Sequence, residues 1–204
     1  MNFEREYLWV VDHIINNGKP VPSRAGYTWS LTGVQFRIGC LTSGFFPLLT
    51  TRKLYYKPVL GELAAFLRGA TTLAEFKAFG CNYWDANAAA WPANSKRKPE
   101  DYEVGRIYGA QWVNWAYSVN QLDKLVAGIK RDPFSRRHIV TAWAPHELDE
   151  MCLPPCHIFF QCFVLEDKLS MTVYMRSVDI CLGLPADIVL YATLLLLLCN
   201  ETAL

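Results

Sequence analysis

The stretch from Leu153 to Tyr191 leaves this chain little choice of fold. Two runs, Ile158 to Val164 and Leu169 to Arg176, alternate in polarity around Glu166-Asp167-Lys168, a pattern that predicts a β-hairpin. In the second run Leu169, Met171, Val173 and Met175 face one way. Ser170, Thr172, Tyr174 and Arg176 face the other, so Arg176 ends a polar row. A rigid Pro154-Pro155 corner sets Cys156 just before the hairpin. Beyond it, Arg176-Ser177 and Asp179 lead through Gly183-Leu184-Pro185 into a helix whose first turn is expected to hold Asp187. The apolar run that follows, Ile188 to Cys199, is too short to span a bilayer and follows an Asp, so no membrane partner is expected.

At 204 residues the chain fits one domain, residues 1–204, with a sizeable core. Its 52% apolar and 19% charged residues describe a globular chain. A net charge of +1 argues against nucleic-acid binding by bulk charge and leaves room for a local anion site. Seven cysteines, an odd number with no repeated pair spacing, favour free thiols in a reducing, cytoplasmic setting. The N-terminal segment mixes acidic and apolar residues and does not read as a signal peptide.

Periodicity predicts a helix over 3–17 with Leu8, Val11, Ile14 and Ile15 on its apolar face, then a loop over 19–26. Residues 28–38 alternate like a strand whose parity switches at Gly33, which suggests a bulge. A helix over 58–67 carries Leu60, Leu63, Ala64 and Leu67 on one face, with Glu62 inside it. Thr72 and Glu75 have capping-box spacing for a helix ending at Gly80. Residues 85–106 lack a period and read as a long surface excursion. A helix over 121–129, a turn at 132–137 and a strand over 138–143 follow. Long strands mixed with helices, without βαβ alternation, predict an α+β fold, one large sheet with helices packed on one side.

A lone cysteine is most often a buried structural thiol. Cys152 and Cys156 could be two metal ligands, but the four histidines are scattered and no second pair has zinc spacing, so no metal site is expected. A cysteine-protease arrangement would need a His partner and stays open. Arg24, Arg136, Arg137 and Arg176 lie in loops, turns or at a strand end. Singly each reads as surface charge, but jointly they suit a phosphate dianion and would favour a nearby thiolate. Glu62 is either a surface glutamate or an acid/base group. Asp187 is either a helix-start carboxylate or a base-reading group.

Taken in order, the segments resemble the thymidylate synthase family and its nucleotide hydroxymethylase relatives. Arg24-Ala25-Gly26 is similar to the family's phosphate loop, Gly44 to Thr51 to its proline turn, and Gly61-Glu62-Leu63 to the helix with its catalytic glutamate. Tyr83-Trp84-Asp85 resembles the segment whose tryptophan lies by the folate. Gly105 to Trp112 resembles its Tyr-Gly motif, and Asp132 to Arg137 its arginine pair. Leu153 to His157, Arg176 to Asp179 and Leu182 to Pro185 resemble the nucleophile and nucleotide segments.

The resemblance implies folate-dependent one-carbon transfer to carbon 5 of a pyrimidine deoxynucleoside monophosphate, with 5,10-methylenetetrahydrofolate as the one-carbon donor. Cys156, Glu62, Tyr108 and Asp179 would be catalytic. Arg24, Arg136, Arg137, Gln161, Arg176, Ser177, Gly183 and Asp187 would bind the nucleotide, and Trp84, Asp179 and Leu182 the folate. A homodimer is implied, with Arg136 and Arg137 completing the partner's site. Where the synthase has Phe-Asn after Leu-Pro, this chain has Ala186-Asp187, which points to deoxycytidylate and a hydroxymethylated product. Methylation at the same carbon, and a non-catalytic nucleotide- or RNA-binding member of the fold, are the alternatives. The family continues past the position of Leu204 to a sugar-binding segment and a lid, so the C-terminal part of the family fold is expected to be absent and turnover by these residues alone compromised. The expected setting is the cytoplasm, the host's if the chain is viral.

Overall fold

The computed structural model describes residues 3–23, 26–39, 41 and 44–204. Seven α-helices and five strands are seen among them: α1 (Phe3–Asn17), β1 (Lys19–Ser23), β2 (Gly26–Ser30), α2 (Tyr56–Leu67), α3 (Leu73–Ala78), α4 (Asp85–Ala90), α5 (Gly109–Val113), α6 (Gln121–Arg131), β3 (Ile139–Thr141), β4 (His157–Leu165), β5 (Lys168–Met175) and α7 (Gly183–Thr202). The class is α+β as expected, but the single large sheet is replaced by two small antiparallel ones. β1 pairs with β2, and β3-β4-β5 form the other. The expected strand over 28–38 stops at Ser30, because its hydrogen-bonding partner is the Lys19–Ser23 segment, read from sequence as loop, and residues 31–39 pair with nothing among the described residues.

The β4-β5 hairpin forms where the alternation placed it. Leu165 pairs with Lys168 across a two-residue turn, with Glu166 and Asp167 at φ 50° and 55°. Positive φ at both central residues gives the turn a twist that matches the strands. Phe160, Cys162 and Val164 point inward and are buried against the helices. The opposite face leaves Ile139 and Tyr174 exposed, so the helices pack on one side.

The main core joins α2, α5, α6 and α7 to that sheet through Val59, Phe66, Trp112, Phe160 and Leu190. Trp112 packs edge-on against both Phe66 and Phe160, with centroids 5.5 and 5.6 Å apart, an arrangement favoured by the ring quadrupoles. A smaller cluster joins Phe3 and Tyr7 of α1 to Leu184 and Ile188 of α7. α7 is the one described helix long and apolar enough to cross a membrane, but half of that span is buried and it serves both clusters.

Several faces differ from the periodicity. α1 buries Phe3, Tyr7 and Val10, while Leu8 and Ile15 are 46% and 68% exposed. α2 buries Val59, Gly61, Leu63, Ala65 and Phe66 and exposes Leu60, because it is packed on more than one side. The 85–106 excursion is mostly exposed, as read, but it is ordered and holds α4 and two short 3-10 turns, Pro92–Asn94 and Pro99–Asp101. Buried Asn94 donates to the carbonyls of Ala88 and Glu103 at 2.9 and 2.8 Å and accepts from the Glu103 amide at 3.1 Å. One amide side chain thus supplies the pairing that a period would otherwise have announced. The Thr72–Glu75 capping box forms as read.

Candidate active site

Strand register makes Cys156 and Arg176 neighbours. His157 pairs with Met175, and the Arg176 amide donates to the Cys156 carbonyl at 2.8 Å. The Arg176 side chain then folds back over the diproline corner. Nε donates to Pro155 O and Nη2 to Pro154 O, each at 2.8 Å, and Nη2 lies 3.8 Å from the Cys156 sulfur. Its guanidinium also stands 5.8 Å from the Trp143 ring centroid. The proline carbonyls thereby aim a cation at the thiol.

Tyr108 holds the same loop from below. Its hydroxyl accepts the Cys156 amide hydrogen at 2.7 Å. Tyr108 has φ 28°, outside the ordinary regions for an L-residue. The next residue must be Gly109, because a Cβ there would collide with the Phe66 backbone. Burial, with the nearby Cys156, Asp187 and Glu62, holds the Tyr108 hydroxyl well above its usual pKa, so it stays protonated.

Glu62 enters from α2. Trp84 Nε1 donates to its Oε1 at 2.8 Å. Burial pushes the carboxyl up to about 8, Asp187 adds to the rise, and the Trp84 bond opposes it. Asp187 enters from α7, and burial pushes it up to about 7. Its Oδ1 lies 3.7 Å from His157 Nε2. The contact is not an ion pair, since burial also drives His157 down to about 3 and keeps the ring neutral. His157 stacks on Tyr108 with centroids 4.0 Å apart and meets Tyr191 at 2.6 Å between Nδ1 and Oη.

Asp187 sits in the second turn of α7, not the first, and does not cap it. No side chain caps α7; Asp179 instead orders the turn before it, its Oδ1 accepting from the amides of Cys181 and Leu182 at 2.8 and 2.7 Å and its carbonyl from the Leu184 amide at 2.8 Å. A Cβ on Gly183 would lie 3.8 Å from both Asp179 Cβ and Asp187 Oδ2. The missing side chain therefore leaves a small notch bordered by Asp187 Oδ2, Asp179 Cβ and Val178 Cγ2. Tyr7 and Arg52 tie this segment down by donating to the carbonyls of Ile180 and Cys181.

The structure thus gathers Cys156, Arg176, Tyr108, Glu62, Trp84, Asp187, Asp179 and Gly183, with Ser177 exposed beside Arg176 and Leu182 65% exposed beyond Asp179. It does not bring in Gln161, Arg136 or Arg137. Gln161 lies five residues along β4 from Cys156, about 16 Å at strand spacing, and donates to the Arg136 carbonyl at 2.9 Å. The two arginines are exposed in the turn beyond it. Arg24 lies outside the described residues. Sequence reasoning gave no role to His157 or Tyr191. The signal for His157 was its place directly after the cysteine, and Tyr191 was hidden in an apolar run.

A thiol beside a guanidinium, two carboxylates that hold protons near neutrality and a notch between helix start and hairpin can together carry out addition to an electron-poor ring with proton transfer. The thymidylate synthase family model matches residues 5–204, and the chain belongs to that family.

Proposed function

We propose that this chain is a deoxycytidylate 5-hydroxymethylase, acting as one cytoplasmic domain in a homodimer. Members of its family transfer one carbon from methylenetetrahydrofolate to carbon 5 of a pyrimidine nucleotide. The observation that carries the finer reading is Asp187: a carboxyl in the second turn of α7, capping nothing, pushed up to about 7 and facing a neutral imidazole. Cytosine presents an acceptor at N3 and a donor at N4. A carboxylic acid offers a matching O–H donor and carbonyl acceptor, and a carboxylate pairs equally well with N3-protonated cytosine. Against uracil an ionised Asp187 would face O4 oxygen to oxygen and leave buried groups unpaired.

In this reading the Cys156 thiolate adds to carbon 6 and makes carbon 5 nucleophilic. Arg176 and Ser177, with Arg24 and the second subunit's Arg136 and Arg137, hold the phosphate and fix the attack geometry. Glu62 moves protons at the exocyclic position 4. Tyr108 helps take the proton from carbon 5: its hydroxyl, kept protonated, orders a water that accepts the departing proton. Exposed Leu182, Phe79 and Tyr83 supply apolar surface of the kind a pterin and its aryl tail would cover, so the residues present fit the folate. Methylenetetrahydrofolate supplies the one-carbon unit, and water completes the hydroxymethyl group. The six described cysteines are free thiols, in keeping with a reducing compartment.

Calorimetric titration tests the base preference, and tritium release from 5-labelled nucleotide tests turnover by the full-length protein. The chain is expected to favour dCMP over dUMP by at least about tenfold, and Asp187→Asn to move the preference toward dUMP. Equal handling of both nucleotides, or an unmoved Asp187→Asn, would remove the assignment. Mass spectrometry of the product distinguishes hydroxymethyl from methyl.

A further inference from the structure

Asp187 read as a protonated acid has an ambiguity. Its proton can sit on either oxygen. With the proton on one oxygen the pair Oδ1/Oδ2 matches cytosine; with it on the other, the same pair matches uracil. Discrimination therefore needs something that fixes which oxygen donates. Among the described residues His157 stands at Oδ1, its Nε2 3.7 Å away. Oδ2 faces the Gly183 notch instead.

We propose that Tyr191 is a specificity-determining positioning residue: through His157 it makes Asp187 Oδ1 the acceptor and Oδ2 the donor. The inference rests on the base-reading role of Asp187. Tyr191 and His157 are both buried, and their 2.6 Å contact is the one hydrogen bond described for either side chain. Burial keeps the Tyr191 hydroxyl protonated, so its hydrogen needs an acceptor. Nδ1 is that acceptor. The remaining hydrogen of the neutral ring then resides on Nε2, which points at Oδ1. In the opposite tautomer the buried Tyr191 hydrogen would have no partner and an Nε2 lone pair would face Oδ1. At 3.7 Å the Nε2–H is too far for a direct bond, but its dipole acts on Oδ1 and biases the acid proton to Oδ2.

The imidazole has no freedom to escape this assignment. Tyr108 stacks on one face at 4.0 Å with an interplanar angle of 26°, and Tyr191 meets it edge-on at 5.2 Å and 88°. Glu62 and Tyr108 also interact with the Asp187 charge, as Tyr191 does, but among the described contacts neither Glu62 nor Tyr108 is hydrogen-bonded to a His157 nitrogen. Cytosine then lies with its N4 amine on Oδ1 and N3 on Oδ2, while uracil in the same pose meets an acceptor with O4 and a donor with N3–H.

The test is the dCMP-to-dUMP affinity ratio of Tyr191→Phe by calorimetry, beside nitrogen-15 NMR of histidine-labelled wild type with His157 assigned from the signal lost in His157→Gln. A purely structural loss weakens both nucleotides alike and leaves the ratio unmoved. The proposal expects the ratio to narrow by about tenfold and the His157 ring to be the Nε2–H tautomer. An unchanged ratio in folded Tyr191→Phe, or an Nδ1–H ring in wild type, overturns it; the NMR result decides alone where Tyr191→Phe does not fold. A wild type without dCMP preference, or an Asp187→Asn without a shift, instead indicts the underlying base-reading role.

Discussion

The Tyr108 hydroxyl accepts the backbone amide of Cys156 at 2.7 Å, so the residue that carries the thiol is positioned by a side chain from a different element. Tyr108→Phe keeps the ring that stacks on His157 and packs against Phe66 at 4.9 Å. It removes only the acceptor. The orphaned amide is expected to cost about 1–2 kcal/mol of stability, read as a lower urea midpoint with an unchanged slope. Turnover should fall further than stability explains, because the thiol loses its fixed approach. A variant with wild-type stability would show that the bond holds nothing in place.

Cys156→Ser should eliminate covalent chemistry while keeping nucleotide affinity. A hydroxyl is a far weaker nucleophile than a thiolate, so turnover should fall by more than about a thousandfold. Arg176 is anchored by Pro154 and Pro155 and not by the sulfur, so the anion site survives the change. Intact-protein mass spectrometry after incubation with methylenetetrahydrofolate and a 5-fluorinated nucleotide, whose fluorine cannot leave as the proton does, should find an adduct on wild type and none on the variant. An adduct on Cys156→Ser would place the nucleophile elsewhere.

Arg136 and Arg137 project from an exposed turn at the far end of the strands from Cys156. Within one chain they cannot reach a phosphate held by Arg176. Changing both to Ala should weaken nucleotide binding without loss of stability. Mixing that variant with Cys156→Ser should restore activity to at most about a quarter, since half of the dimers are mixed and each holds one intact site. Failure to complement, with stable mixed dimers present, would show that the arginines act outside the partner's site.

What the sequence announced and what it hid have physical causes. The hairpin was legible because alternation fixes register, and register put Arg176 beside Cys156 without further information. The Thr72 cap was legible because its partner lies three residues away. Gln161 was misplaced for a related reason. Motif order gives proximity along the chain, whereas five residues of strand carry a side chain well away from the thiol. The face of α2 was misread because helical period reports an apolar stripe only when one side is covered and α2 is packed on more than one; α1 does bury one stripe, Phe3, Tyr7 and Val10, but its apolar residues fall on both sides of it. Of the two readings of Asp187, a helix-start carboxylate and a base-reading group, the first is not met, since Asp187 lies in the second turn of α7 and no side chain caps that helix. His157 and Tyr191 were invisible because their pairing spans thirty-four positions.

The buried carboxyls set the pH dependence of stability. Glu62 is raised to about 8 from an ordinary 4.5, so between those values the folded chain holds more protons than the unfolded one. Stability from this group is fully present below 4.5 and is lost as pH rises toward 8. Asp187, raised from 3.8 to about 7, has the same sign. His157, lowered from 6.5 to about 3, acts the opposite way: the unfolded chain binds the extra proton, and stability is lost as pH falls through that window. Glu62→Gln isolates one contribution. The amide oxygen still accepts from Trp84, the shape is kept, and the side chain cannot ionise. At about pH 4 the two proteins should have nearly equal urea midpoints, because Glu62 is protonated in the folded state and mostly so in the unfolded one. By pH 8 the Gln variant should be the more stable by about 4 kcal/mol, although its turnover is lost with the acid/base group. A Gln variant that is less stable at pH 8 than wild type would mean that Glu62 is ionised and well solvated in the folded protein, and the proton-transfer role given to it would lose its physical basis.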